Sequence, residues 1–208
     1  MNILTKKNWI LAINNLKKKD KILKKIINRY KSEQLKSKKN AFLTLAKSIA
    51  GQQISVKAAN SIWQKLEKKL KKVTPNNILK LKKVEISKCG FSKQKVGYLL
   101  NLADFFEKNK NIEKKWKKAE DEKVIEDLVK IKGIGRWTAE MFLIFYLLRP
   151  NIFPVDDIGL LRAISVNYNL KYPLKKKEIY EFKKRWEPWA TVATWYLWRS
   201  LDPIPVKY

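Results

Sequence analysis

The chain has 208 residues, a formal net charge of +28 from 47 lysines and arginines against 19 acidic residues, no histidine and one cysteine, Cys89. Those counts exclude an intramolecular disulfide, four-cysteine zinc or iron–sulfur sites, histidine-ligated metals and any histidine-assisted nucleophile, so chemistry must rest on carboxylates, lysines, hydroxyls or backbone groups. A hydrophobic fraction of 45% with eight tryptophans suffices for a core in one large domain or two small helical lobes.

The charge points toward a polyanion, although lysine, asparagine and isoleucine are abundant together and part of it is compositional. Runs such as Lys17-Lys18-Lys19 and Lys175-Lys176-Lys177 read as solvated faces or loops. The N-terminal Met1-Asn2-Ile3-Leu4-Thr5-Lys6-Lys7 lacks the apolar core of a signal peptide, and the longest apolar stretch, Met141 to Leu148, is too short for a bilayer. The expectation is a soluble, cytoplasmic protein, nucleoid-associated if bacterial.

Strand signals are almost absent. Apolar residues recur at helical spacing in Leu43, Ala46, Ile49 and Ala50, and again in Ala58, Ile62 and Leu66. Thr74-Pro75 opens a short helix over Asn76 to Leu81. Cys89-Gly90-Phe91-Ser92 breaks the chain, with Ser92 the N-cap of a helix carrying Val96, Leu99, Leu100 and Ala103. A polar stretch, Asn109 to Glu122, leads into a helix ending near Ile131, Asn151 to Pro154 is a loop, and the last helix starts near Glu187-Pro188 and ends at Ser200. The pattern predicts about nine or ten helices without internal repeats. A division into residues 1–40 plus the C-terminal helices, and 41 to about 150, is one arrangement of them.

The most informative segment is Leu128-Val129-Lys130-Ile131-Lys132-Gly133-Ile134-Gly135-Arg136-Trp137-Thr138-Ala139. One helix ends, two glycines flank an apolar residue, and a second helix begins. Gly133 and Gly135 can take positive φ and lack a Cβ, leaving amides at a helix N-terminus where a phosphate can sit. Ile134 pins the turn to the core, and Lys130, Lys132 and Arg136 add charge. Farther on, Phe153-Pro154-Val155-Asp156-Asp157-Ile158 sets adjacent carboxylates where the next helix starts. Either aspartate can cap that helix while the other faces a cleft, and spacing alone favours the capping role.

Four blocks in order carry a resemblance: Ala50-Gly51-Gln52-Gln53-Ile54-Ser55, the glycine hairpin, Phe153-Pro154-Val155-Asp156-Asp157, and Arg185-Trp186-Glu187-Pro188-Trp189 with Trp195 to Trp198. From about Ala41 onward the chain resembles the helix-hairpin-helix superfamily of DNA glycosylases, in its 3-methyladenine DNA glycosylase II branch. The resemblance implies an all-α fold of two helical lobes around a cleft. It implies a single such domain over residues 1–208, with the hairpin at 125–148 and no N-terminal β-rich domain.

The implied activity is monofunctional: an alkylated purine such as 3-methyladenine is flipped from duplex DNA and its N-glycosidic bond hydrolysed in base excision repair. The family's catalytic aspartate falls on Asp157, with Asp156 the alternate. Trp137 and Trp198 match pocket aromatics, Met141 stands where one family pattern has tyrosine, and Trp186, Trp189 and Trp195 are core or pocket wall. Gln53 matches the residue that intercalates into the DNA stack. Lys132, Gly133, Ile134, Gly135 and Arg136 match the phosphate-binding hairpin. Lyase-competent relatives carry a lysine where this chain has Trp137, so no Schiff-base step is implied. No cofactor or metal is required for catalysis, a monovalent cation at the hairpin being the one ion allowed. The implied partner is double-stranded DNA containing alkylated bases, bound by a monomer, with no membrane. The alternative is a non-catalytic helix-hairpin-helix DNA-binding protein, which needs the hairpin and the charge alone. A basic RNA-associated protein, or a glycosylase for uracil or an oxidised purine, are further readings.

Overall fold

A computed structural model describes residues 3–30, 33–38 and 40–202. Among them are thirteen helices and no strand: α1 (Lys6–Lys19), α2 (Lys21–Arg29), α3 (Ala41–Gly51), α4 (Val56–Leu70), α5 (Pro75–Leu79), α6 (Lys83–Lys88), α7 (Lys93–Lys108), α8 (Ile112–Lys118), α9 (Asp121–Val129), α10 (Arg136–Phe145), α11 (Ile158–Tyr168), α12 (Lys176–Trp186) and α13 (Ala190–Leu201). None of the described helices is long and apolar enough to cross a membrane. The all-α class is as expected, but the helices outnumber the expectation. The supposedly polar stretch after Asn109 holds α8, because Ile112 and Trp116 four residues apart give it a buried stripe.

The chain divides into two compact units, one of Met1–Ser37 with Leu143–Lys207 and one of Lys38–Phe142, so the division falls inside α10. Its second boundary lies earlier than the expected region near residue 150.

In the first unit, α13 packs on α2 and α11. Ala190 to Leu197 are all buried, consistent with a helix apolar on every side. The buried Asp20 ties three elements together. Its Oδ1 accepts the Ile22 and Leu23 amides at 3.0 Å each, capping α2. Its Oδ2 accepts the Tyr168 hydroxyl at 2.7 Å and the Trp186 Nε1–H at 3.1 Å. Trp186 and Trp195 are core residues.

In the second unit, α3 packs on α4 and α7, and α5 also lies on α7. Thr74 caps α5 with Pro75 in its first turn, and Ser92 caps α7 by accepting the Lys95 amide, both as their sequence signals predict. Trp116, fully buried, stacks on Phe105 at 6.0 Å and meets Phe142 edge-on at 5.5 Å. That cluster seats α8 and α10 on the end of α7.

Candidate functional site

The turn between α9 and α10 belongs to the second unit. Val129 ends α9, the Ile131 amide donates back to the Leu128 carbonyl at 3.0 Å, and the Ile134 amide donates to the Ile131 carbonyl at 2.9 Å. Ile134 is 4% exposed and anchors the turn, as expected. Of the two glycines only Gly133 is left-handed, with φ +101°. A Cβ there would lie 2.2 Å from Cγ of Tyr98, so both dihedral and space demand glycine. Gly135 takes no such dihedral, and a Cβ on it would meet nothing within 4 Å. It stands in open space at the start of α10, where a helix leaves its first N–H groups without intrahelical acceptors.

Lys132 is exposed at this rim. Arg136 is paired with carboxylates. Its Nη1 and Nη2 donate to the two Glu122 carboxylate oxygens at 2.7 and 3.0 Å, and its Nε lies 3.3 Å from Glu140 Oε1. The Glu122 bonds hold the guanidinium still more firmly protonated than usual. The charge of Arg136, a residue expected at phosphate, is thus matched by two carboxylates, while its side chain stays 53% exposed.

A concavity of about 360 Å³ opens beside the turn, lined by Gln52, Gln53, Ser92, Gln94, Lys95 and Tyr98 and by the hairpin itself. Gln53 is exposed and sits at φ +57°, unusual for a residue with a Cβ. Its neighbour Gln52 donates Nε2–H to the Gly133 carbonyl at 2.9 Å. Lys95 donates to the Ala50 carbonyl at 2.8 Å, and burial lowers its pKa. Gln52, Lys95 and Tyr98 were not legible as site residues. The doubled glutamine after Gly51 was the one available signal.

The aspartate loop belongs to the first unit. Asp157 is 7% exposed while Asp156 is exposed, which separates two adjacent carboxylates that sequence could not. Asp157 Oδ1 accepts the Leu160 amide at 2.6 Å, capping α11, and the Trp198 Nε1–H at 2.9 Å. Of the pair it is Asp157 that caps the helix, and the same carboxylate takes the indole N–H as well. Trp198, half-buried on α13, stacks on Phe145 at 5.9 Å with planes 11° apart. A Cβ on Gly159 would come 3.2 Å from Asp157 Oδ1 and 3.5 Å from Trp198 Nε1, so its glycine keeps that contact uncrowded. Trp137, half-buried, and Met141, 4% exposed, lie one turn apart on α10. Among the described residues no group of three or more acidic or thiol side chains gathers to hold a metal ion.

The sequence profile described as HhH-GPD superfamily base excision DNA repair protein matches residues 46–188. The chain is 30% identical over 194 residues to DNA-3-methyladenine glycosylase 1 of Schizosaccharomyces pombe, covering 91% of this chain and 85% of that protein. It is 41% identical over 152 residues to DNA-3-methyladenine glycosylase of Saccharomyces cerevisiae, covering 68% of this chain and 51% of that one. The solved structure of Schizosaccharomyces pombe 3-methyladenine DNA glycosylase in complex with abasic DNA superposes with a TM-score of 0.81 at 28% identity, over 95% of this chain and 99% of that one.

Proposed function

The chain belongs to the HhH-GPD superfamily of base excision DNA repair proteins, and from that premise we propose that it is a monofunctional DNA glycosylase. It releases alkylated purines such as 3-methyladenine from duplex DNA by hydrolysing the N-glycosidic bond. The observation that carries this reading is the buried Asp157 carboxylate, fixed by the Leu160 amide and the Trp198 indole N–H.

As the bond between C1′ and the base nitrogen breaks, the electron pair leaves with the base and positive charge builds on the deoxyribose. A preorganised anion beside it stabilises that charge and orients the water that attacks C1′, accepting its proton. Alkylation at N3 or N7 has already made the base cationic, so it departs without a protonating residue, in keeping with a chain that has no histidine. Trp137 is the proposed aromatic contact for the cationic base, worth about 1–3 kcal/mol by stacking and cation–π attraction. Met141 accompanies it on α10. Trp198 is the second proposed pocket aromatic and has a further task. Its N–H holds the carboxylate, and its ring is the apolar wall behind it.

Lys132 and the amides around Gly135 hold a phosphate, and Gln53 fills the gap left by the flipped nucleotide. No cofactor enters the proposed step; a monovalent cation at the hairpin would meet backbone carbonyls and serve binding. The protein acts as a monomer on double-stranded DNA. Incubation with methylated duplex DNA tests this reading: chromatography should find free alkylpurines, and the abasic product should stay uncut until treated with alkali. Strand cleavage through an imine trapped by borohydride, or no base release, would overturn it.

A further inference from the structure

We infer that Gln52, Lys95 and Tyr98 form a clamp that makes the Gln53 loop and the glycine hairpin one mechanical unit, so that gripping phosphate and filling the base gap occur together. The inference rests on the proposed insertion of Gln53.

Three ties converge. Gln52, adjacent to Gln53, crosses to the hairpin by donating Nε2–H to the Gly133 carbonyl at 2.9 Å. Lys95 reaches from the first turn of α7 to the Ala50 carbonyl at 2.8 Å. That carbonyl is in the last turn of α3, where acceptors lack intrahelical donors and a cation is favoured. Tyr98, three residues beyond Lys95 on the same helix, lies against Gly133 closely enough to forbid any Cβ. Loop, hairpin and α7 thus hold one another pairwise around the concavity.

The load on Gln53 explains why such a clamp is useful. A residue entering a base stack is pushed back by neighbouring bases that would rather restack, and an exposed loop with a residue at φ +57° yields easily unless braced. Gln52 passes that push to Gly133, next to the groups that hold the phosphate. Single-stranded DNA has no partner strand to restack, so it makes far less demand on the brace.

The test compares kcat/KM for one 7-methylguanine in duplex and in single-stranded oligonucleotides. Gln52→Ala should lower the duplex-to-single-strand ratio about tenfold, the range for losing one well-placed hydrogen bond from a coupled unit. The Gln52→Ala/Gln53→Ala double variant should fall no further than Gln53→Ala. Lys95→Met should behave like Gln52→Ala, and Lys95→Arg, which keeps a donor, should recover most of the ratio. If Gln53→Ala leaves the ratio untouched, the gap-filling reading fails and the clamp with it. If Gln53→Ala lowers the ratio but Gln52→Ala has no effect or adds independently, the clamp alone fails. Equal losses on both substrates with a lowered melting temperature would make Gln52 merely structural and overturn the inference.

Discussion

Replacing Asp157 by asparagine separates the two duties of that residue. The asparagine Oδ1 can still accept the Leu160 amide, held at 2.6 Å in the native protein, and the Trp198 Nε1–H, held at 2.9 Å. The α11 cap is retained, and stability should change by no more than about 1 kcal/mol. What disappears is the charge. Asp157 is only 7% exposed, so an effective dielectric near 20 suits it better than that of bulk water. A carboxylate about 4 Å from developing positive charge then contributes about 4 kcal/mol to the barrier, on the order of a thousandfold in rate. Single-turnover release of 7-methylguanine from duplex DNA, beside urea denaturation of the same preparations, measures both effects. Asp157→Asn should be folded and slower by about three decades, while Asp156→Asn, at an exposed position, should stay within about twofold of wild type. Wild-type release by Asp157→Asn would refute the electrostatic reasoning. Loss of release in Asp156→Asn alone would move the chemistry to the other carboxylate.

The two hairpin glycines should respond differently to alanine. Gly133→Ala forces a Cβ onto Tyr98 at φ +101° and should cost about 1–3 kcal/mol, whereas Gly135→Ala, in open space, should stay within about 1 kcal/mol; equal losses in urea denaturation would contradict the geometry. Salt titrations of DNA affinity should show Lys132→Ala lowering the slope of log K against log salt by about one, with Arg136→Ala lowering it by less because Glu122 and Glu140 already match that charge. Equal slope changes would mean that DNA displaces those carboxylates. Tyr196 is pushed by burial from 10.0 up to about 12. Since folding favours its neutral form, the associated stability is intact below pH 10 and is lost as pH rises from 10 through 12. Tyr196→Phe should flatten that alkaline decline in a denaturant series.

Amino-acid order by itself determined the helical class, because 3.6-residue spacing and capping signals at Thr74-Pro75 and Ser92 act within a turn or two of chain. It also marked the glycine turn and the pair of aspartates, although spacing alone favours a capping role for the pair and the catalytic expectation came from the family resemblance. It passed over α8, whose two buried residues are diluted by surrounding lysines. Which aspartate is buried was decided only in three dimensions, since Trp198 reaches Asp157 across 41 positions of sequence. The pairing of Arg136 with Glu122 bridges two helices, and the bond from Gln52 to Gly133 spans 81 residues. Local propensities fix each helix, but which donor meets which acceptor depends on packing among helices distant in sequence, which no single segment encodes.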